Sequence, residues 1–259
     1  MMTKLYPSMY FPIFLMIYIV QKDWKGAGQG LFWFALTSAI IFVPLMLIDP
    51  DLFMGFLSYH SNRPLEIGSL AATLLYPFSM MGLIETSIYP AWMEGSFGSD
   101  NLVGPIPDAI ANILSPIMVL SILIIIFYYA LVRKNEEREK ERAYLLVLAM
   151  LGVTLAFMLI GKVFSSQYLI WAIPFYALAI MMTSDRVRSK RLLYTLIAAF
   201  VLTQVNFAYL YGYLGGGTNI NDLGMILMLI RNLMIVATFV MTIMEIARIH
   251  KEQPSPIAE

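Results

Sequence analysis

Long apolar runs recur along the chain, separated by short polar segments. A helix needs about 20 residues to cross a hydrocarbon core of ~30 Å. Runs of about that length occupy 5–20, 31–48, 112–132, 143–160, 168–183, 192–211 and 225–247. The pattern predicts a membrane-spanning helix over each. An eighth run covers 65–83, and its placement depends on the charges around it.

Lys and Arg gather in four places: Lys22 with Lys25; Arg133, Lys134, Arg138, Lys140 and Arg142; Arg186, Arg188, Lys190 and Arg191; and Arg248 with Lys251. Short loops rich in Lys and Arg stay on the cytoplasmic side. From Gly26 to Val132 the only basic residue is Arg63, and the polar stretch 84–111 carries Glu85, Glu94, Asp100 and Asp108 but no Lys or Arg. That stretch reads as an external loop. Loops 21–30, 133–142 and 184–191 and the tail 248–259 read as cytoplasmic. With 21–30 and 133–142 on one side, 65–83 has no room for a full crossing, so it is expected to be a re-entrant or interfacial helix. The expectation is one all-α polytopic transmembrane domain over 1–259, with about seven spans, an external N-terminus and a cytoplasmic C-terminus, in the cell membrane. Eight full spans, the alternative, would leave Lys22 and Lys25 outside. A signal peptide over 5–20 fits poorly, because only Lys4 precedes the run and no small-residue cleavage site follows it.

Composition agrees. Of 259 residues, 59% are hydrophobic and 13% charged, against about 45–50% and about 25% in soluble domains. Mean hydropathy is +0.74, and too little polar surface exists to coat a water-soluble body. A net charge of zero gives no basic field for nucleic acid. The absence of Cys excludes a disulfide framework, a thiolate metal site and a cysteine nucleophile. With two His, no metal centre or other cofactor is expected.

Four basic residues stand outside the cytoplasmic clusters: Lys4, Arg63, Lys162 and Arg231. The topology places all four in the outer half of the membrane. Arg231 lies seven residues beyond Gly224, roughly 10 Å along a helix. An Arg at the centre of a span costs about 2.5–3.5 kcal/mol on insertion scales, so it must be paired, hydrated or functional. Snorkelling to the interface accounts for any one of the four taken singly. Four on one side, with Tyr6, His60, Gln167, Tyr168, Trp171, Gln204, Asn206, Tyr209 and Tyr211 at the same level, suggest a site. Interfacial Tyr and Trp are ordinary belt residues, but buried amides such as Gln167 and Asn206 need partners. Fixed cations and hydrogen-bonding groups facing outward suit an anionic headgroup whose tail stays in lipid. Arg offers phosphate a planar donor fork and Lys a point charge. Residue chemistry alone reaches "lipid phosphate" and no further.

Three segments carry a resemblance: Thr3-Lys4-Leu5-Tyr6-Pro7; Tyr59-His60 through Arg63-Pro64-Leu65 into Ser69-Leu70-Ala71-Ala72; and Lys162-Val163-Phe164-Ser165-Ser166-Gln167-Tyr168-Leu169-Ile170-Trp171 with Pro174. Together they resemble the GT-C membrane glycosyltransferases, most closely glycosyltransferase family 87, the polyprenol-phosphate-mannose-dependent mannosyltransferases. The resemblance spans roughly residues 3 to 250 and corresponds to the C-terminal part of that family. It implies a GT-C-like fold and inverting transfer of mannose or another hexose from a polyprenyl-phosphate sugar to a glycan or lipid acceptor at the outer face. Lys4, Arg63, Lys162 and Arg231 would bind the donor phosphate, and Tyr6, His60, Gln167, Tyr168 and Asn206 the substrate. Family members often carry Glu immediately before the serine matching Ser69; here that position is Gly68, with Glu66 two residues earlier. Glu66 is therefore the candidate base within this chain. The family's proposed catalytic Asp lies on an earlier external loop, so the chain is expected to need an N-terminal region or a partner chain for turnover. Two other readings stand beside this one: a non-catalytic subunit that binds lipid phosphate, and a lipid or solute transporter with Arg231 and Pro174 inside spans.

Overall fold

A computed structural model describes residues 6–136, 138–183, 185–206 and 222–252. After a 3-10 turn at Tyr6–Tyr10 the helices are α1 Phe11–Val20, α2 Trp24–Ile48, α3 Pro50–Ser61, α4 Leu70–Met80, α5 Pro105–Lys134, α6 Glu139–Ile160, α7 Leu169–Met182, α8 Arg186–Asn206 and α9 Asp222–Lys251. Among the described residues four stretches are long and apolar enough to cross a membrane: Trp24–Ile48, Pro105–Asn135, Glu139–Ile160 and Leu223–Lys251. The chain is a helical membrane protein.

Helix α6 is the centre of the bundle. Its buried residues run from Tyr144 to Leu159 and include Leu145, Leu148, Leu151, Val153, Leu155 and Met158. A helix that is apolar on all sides is one surrounded by others, and α5, α7 and α9 pack around it. Gly152 makes the packing close: a Cβ there would meet Ile125 at 3.5 Å and Thr242 at 3.8 Å. Tyr10 reaches in from the first turn, its hydroxyl 2.7 Å from that of Thr154. Helix α2 differs. It packs against α1 and α3 and turns Trp33, Ile40, Leu47 and Ile48 outward, as a helix bathed in lipid does.

Three details depart from the sequence expectation. Loop 21–30 shrinks to a tight turn, because Asp23 accepts a hydrogen bond from the Gly26 amide at 2.8 Å and starts α2 at Trp24. Helix α3 starts at Pro50 directly after Asp49, with Asp51 in its first turn, although its 12 residues are too polar to register as a run. The fold is also not purely α-helical. Short strands β1 Leu65–Glu66, β2 Ser87–Tyr89 and β3 Asn101–Val103 form an antiparallel sheet in the order β1-β3-β2. Glu66 pairs with Asn101, and Tyr89 with Asn101 on the other side. Gly104 makes the return from β3 into α5 possible: its φ is +142°, and a Cβ would lie 2.5 Å from the Glu85 carbonyl. Segment 65–83 thus holds one strand and an 11-residue helix, about 16 Å long, too short to span.

Candidate functional site

Residues 62–73, the link between α6 and α7, and the N-terminal half of α9 meet around one buried carboxylate. Strand β1 pairs with β3 on one edge. On its other side the Glu66 amide donates to the Lys162 carbonyl at 2.9 Å. This lays the 161–165 link alongside β1, and the Glu66 Oε2 accepts from the Phe164 amide at 2.9 Å. The chain then turns, with the Ser69 amide donating to the Glu66 carbonyl at 3.0 Å. Ser69 caps α4 by accepting from the Ala72 amide at 3.2 Å.

Gly68 sits inside that turn, where a side chain would be tight unless its neighbours shifted by a few tenths of an ångström. A Cβ there would lie 3.0 and 3.1 Å from the two Glu66 carboxylate oxygens and 3.1 Å from the Phe164 carbonyl. The Glu66 carboxylate therefore fills the volume in which a side chain at position 68 would begin. The Gly68 carbonyl faces α9 and accepts from Arg231 Nη2 at 2.5 Å and from Asn232 Nδ2 at 3.2 Å.

Asn232 is fully buried and spends its amide on this junction. Its Oδ1 accepts from Arg231 Nε at 3.2 Å and Nη2 at 3.0 Å. Its Nδ2 also donates to Thr73 Oγ1 at 3.0 Å. The Arg231 guanidinium lies over the Phe164 ring, 4.3 Å from the centroid, a cation–π contact that strengthens away from water. Arg63 donates to Ser99 Oγ at 3.1 Å, and Ser99 Oγ in turn lies 3.0 Å from Asn101 Oδ1.

Burial sets the electrostatics. Desolvation pushes the Glu66 carboxyl above the ordinary carboxylate range; the amides of Phe164 and Gly68, then Arg231 and Arg63, pull it partly back. Lys162, also buried, is held below the usual lysine value by desolvation and then by the neighbouring charge of Arg63. Both charged forms are thus disfavoured in the site as it stands.

Of the residues expected from sequence, Arg63, Glu66, Lys162 and Arg231 come together. Gln167 does not join them; it is exposed. Tyr168 stacks on Trp171 with ring centroids 4.3 Å apart and also packs near Phe157. Asn206 is buried at the end of α8, and its Oδ1 has no hydrogen-bond donor among the described residues. Lys4, Tyr209 and Tyr211 lie outside the described residues, as do the side chains of Tyr6 and His60. Asn232, Thr73, Ser99, Asn101 and Phe164 were not anticipated. Asn232 was the most accessible of these, since an amide next to an Arg within a span needs a partner as much as the Arg does.

Between α5 and α9 an apolar furrow of about 290 Å³ is lined by Ser121, Ile124, Ile125, Tyr128, Phe239 and Ile243, with Ile160 at one side. Ile160 lies two residues before Lys162. The furrow can take a length of hydrocarbon. Compared with protein families, curated proteins and solved structures, the chain matches none.

Proposed function

We propose that the chain holds the headgroup of a polyprenyl-phosphate sugar at the outer membrane face, as the donor-binding part of a GT-C hexosyltransferase resembling family 87. One observation carries this reading. Two cations from distant parts of the chain, Arg63 and Arg231, act on a single buried carboxylate, and Lys162 lies near enough to Arg63 to feel its charge. Cations set beside hydrogen-bond donors fit a phosphodiester. In transfer, the same cations would stabilise the phosphate as its charge grows on departure, while a carboxylate takes the acceptor hydroxyl proton. Glu66 occupies the volume that a Glu at position 68 would use, which supports its matching the family's carboxylate.

Its burial and its bond to the Phe164 amide favour a second reading, in which the chain binds lipid phosphate and a partner chain supplies the base. The proposed topology is seven spans with α4 as the partial helix, N-terminus outside and C-terminus in the cytoplasm of the cell membrane. It is supported by the ion pairs that join α8 to α9 at the basic end.

The test is reconstitution in nanodiscs with a polyprenyl-phosphoryl mannose and, separately, the parent polyprenol. Saturable binding of the phosphodiester, at least about tenfold tighter than the alcohol, corresponds to one charge-assisted contact and is the expected result. Equal binding of the two would leave the site without a phosphate role. Sugar transfer by the isolated chain, lost in Glu66→Gln, would select the first reading over the second. For topology, Ser96 is buried and a poor probe. The exposed Glu94 and Asn135 are better, and Glu94→Cys is expected to react with an impermeant thiol reagent from outside while Asn135→Cys does not.

A further inference from the structure

We infer that the site is proton-coupled: Glu66 takes up one proton when a phosphodiester headgroup binds, so that the anion and the ionised carboxylate do not share the pocket. The inference rests on the headgroup reading above and adds its regulation. The geometry is the starting point. The Glu66 carboxylate and the Arg231 guanidinium both lie against Gly68 and Phe164, and Arg63 is close enough to act on the same carboxylate, so an anion that engages Arg231 and Arg63 comes to rest near Glu66. Two negative groups side by side in a low-dielectric pocket cannot both stay ionised. A phosphodiester keeps its single charge at any pH that proteins tolerate, so the carboxyl must yield.

The surroundings allow it to. A neutral carboxyl retains an oxygen that accepts from the Phe164 amide and gains an O–H that can donate to a phosphate oxygen. A competitor for the cations becomes a ligand to the anion. The proton comes from solvent and the one bond formed is the carboxyl O–H. Burial already tilts Glu66 towards its neutral form.

Every packed element contributes to this balance. Arg63 precedes β1, Arg231 comes from α9, and Lys162 comes from the link. On the strand side Asn101 is the paired residue. The adjacent Asp100 carboxylate accepts from the Ala91 amide at 2.8 Å, on the far side of β3. On α5, the first-turn carboxylate of Asp108 is exposed to solvent. Lys162 is the rival proton acceptor, because a bound anion would also favour its charged form.

The experiment is calorimetric titration of the full chain in nanodiscs with a farnesyl phosphodiester of mannose, in buffers of different ionisation enthalpy between about pH 5 and pH 8. The expected result is uptake approaching one proton per ligand, with affinity falling as pH rises, by up to about tenfold per pH unit. In Glu66→Gln the uptake and the pH dependence should vanish. In Lys162→Arg, which cannot release its proton in this range, both should persist. Uptake that survives Glu66→Gln and disappears in Lys162→Arg overturns the assignment. Binding by the wild type without proton uptake overturns it while leaving the headgroup reading intact; no binding at any pH removes both. If Glu66→Gln does not accumulate, the wild-type proton count and Lys162→Arg still decide.

Discussion

Two buried carboxylates stand at opposite ends of the bundle, and they are held differently. Glu245, on the last turns of α9, is gripped by Arg188 of α8 and, at 2.8 Å, by Arg248. Those two arginines also meet Asp185 and Glu252, at 3.6 and 2.6 Å. Two cations thus face three carboxylates, and the guanidinium forks are spent on them. About 21 Å further along α9, by helix rise, Arg231 spends its fork on a backbone carbonyl and an amide oxygen. Glu66 is held by backbone amides, with Arg231 and Arg63 near it. The lower end is a finished ion-pair knot that joins helices. The upper end joins its cations to backbone and amide groups rather than to carboxylates in bidentate pairs. Burial of charge therefore does not distinguish structure from function in this molecule; what the donors are bonded to does.

The comparison breaks most severely at Glu245. Glu245→Ala leaves Arg188 and Arg248 without their shared buried partner. Breaking a fully buried pair costs about 3–5 kcal/mol, and these arginines are partly exposed, so a loss of roughly 1–3 kcal/mol is expected. Unfolding of the purified protein by denaturant measures it, and the folded fraction should bind lipid phosphate with unchanged affinity. A parallel loss of affinity would mean the two ends are coupled.

Arg231→Lys is next. It keeps the charge and loses the fork that holds both the Gly68 carbonyl and Asn232. Phosphodiester affinity should fall roughly tenfold, about 1.4 kcal/mol, with a stability loss of about 1 kcal/mol from the unmade hydrogen bonds. Full rescue by lysine would reduce Arg231 to a point charge.

A smaller effect reads the upper end by pH. Because the Glu66 carboxyl is raised on folding, its favourable contribution is complete below the unfolded value near 4.5 and is lost as pH rises through the folded value. Lys162 is lowered, so its contribution is complete above 10.5 and is lost as pH falls through its folded value. Melting curves of wild type and Glu66→Gln should therefore converge at acid pH, with the variant gaining on the wild type as pH rises. Parallel curves throughout would show that Glu66 carries its charge unperturbed.

The smallest expected effect is at Gln167. It is exposed beside the cluster rather than in it, so Gln167→Ala should change phosphodiester affinity by less than about twofold, under 0.5 kcal/mol. A tenfold loss would bring the link's outer turn into the site.

Much of this was legible in the chain because the bilayer imposes a coarse rule. Helices α2, α5, α6 and α9 follow from apolar length, and the isolation of Arg63, Lys162 and Arg231 from the other basic residues marked them before any geometry was known. What was hidden depends on pairing across distance. Strands of two or three residues carry no periodicity, so β1 could not be read from 65–83, nor β2 and β3 from 84–111. Gln167 and Lys162 looked equivalent on one short link, yet the chain's turn at Ser166–Tyr168 sends one outward and the other in. Glu245 passed as one more charge near a basic tail, because its partner Arg188 lies 57 residues away.

The bond from Arg231 to Gly68 has a consequence for biosynthesis. It joins residues 163 positions apart. At about 5–20 residues per second, roughly 10–30 s separate the emergence of Gly68 from that of Arg231. Throughout that interval the glycine carbonyl, Glu66 and Thr73 are already made, and Lys162 emerges during it, but the arginine that organises them does not yet exist. The cluster around Glu66 thus cannot close before the first half of α9 is made, and the Glu245 ion pairs further along the same helix close later still.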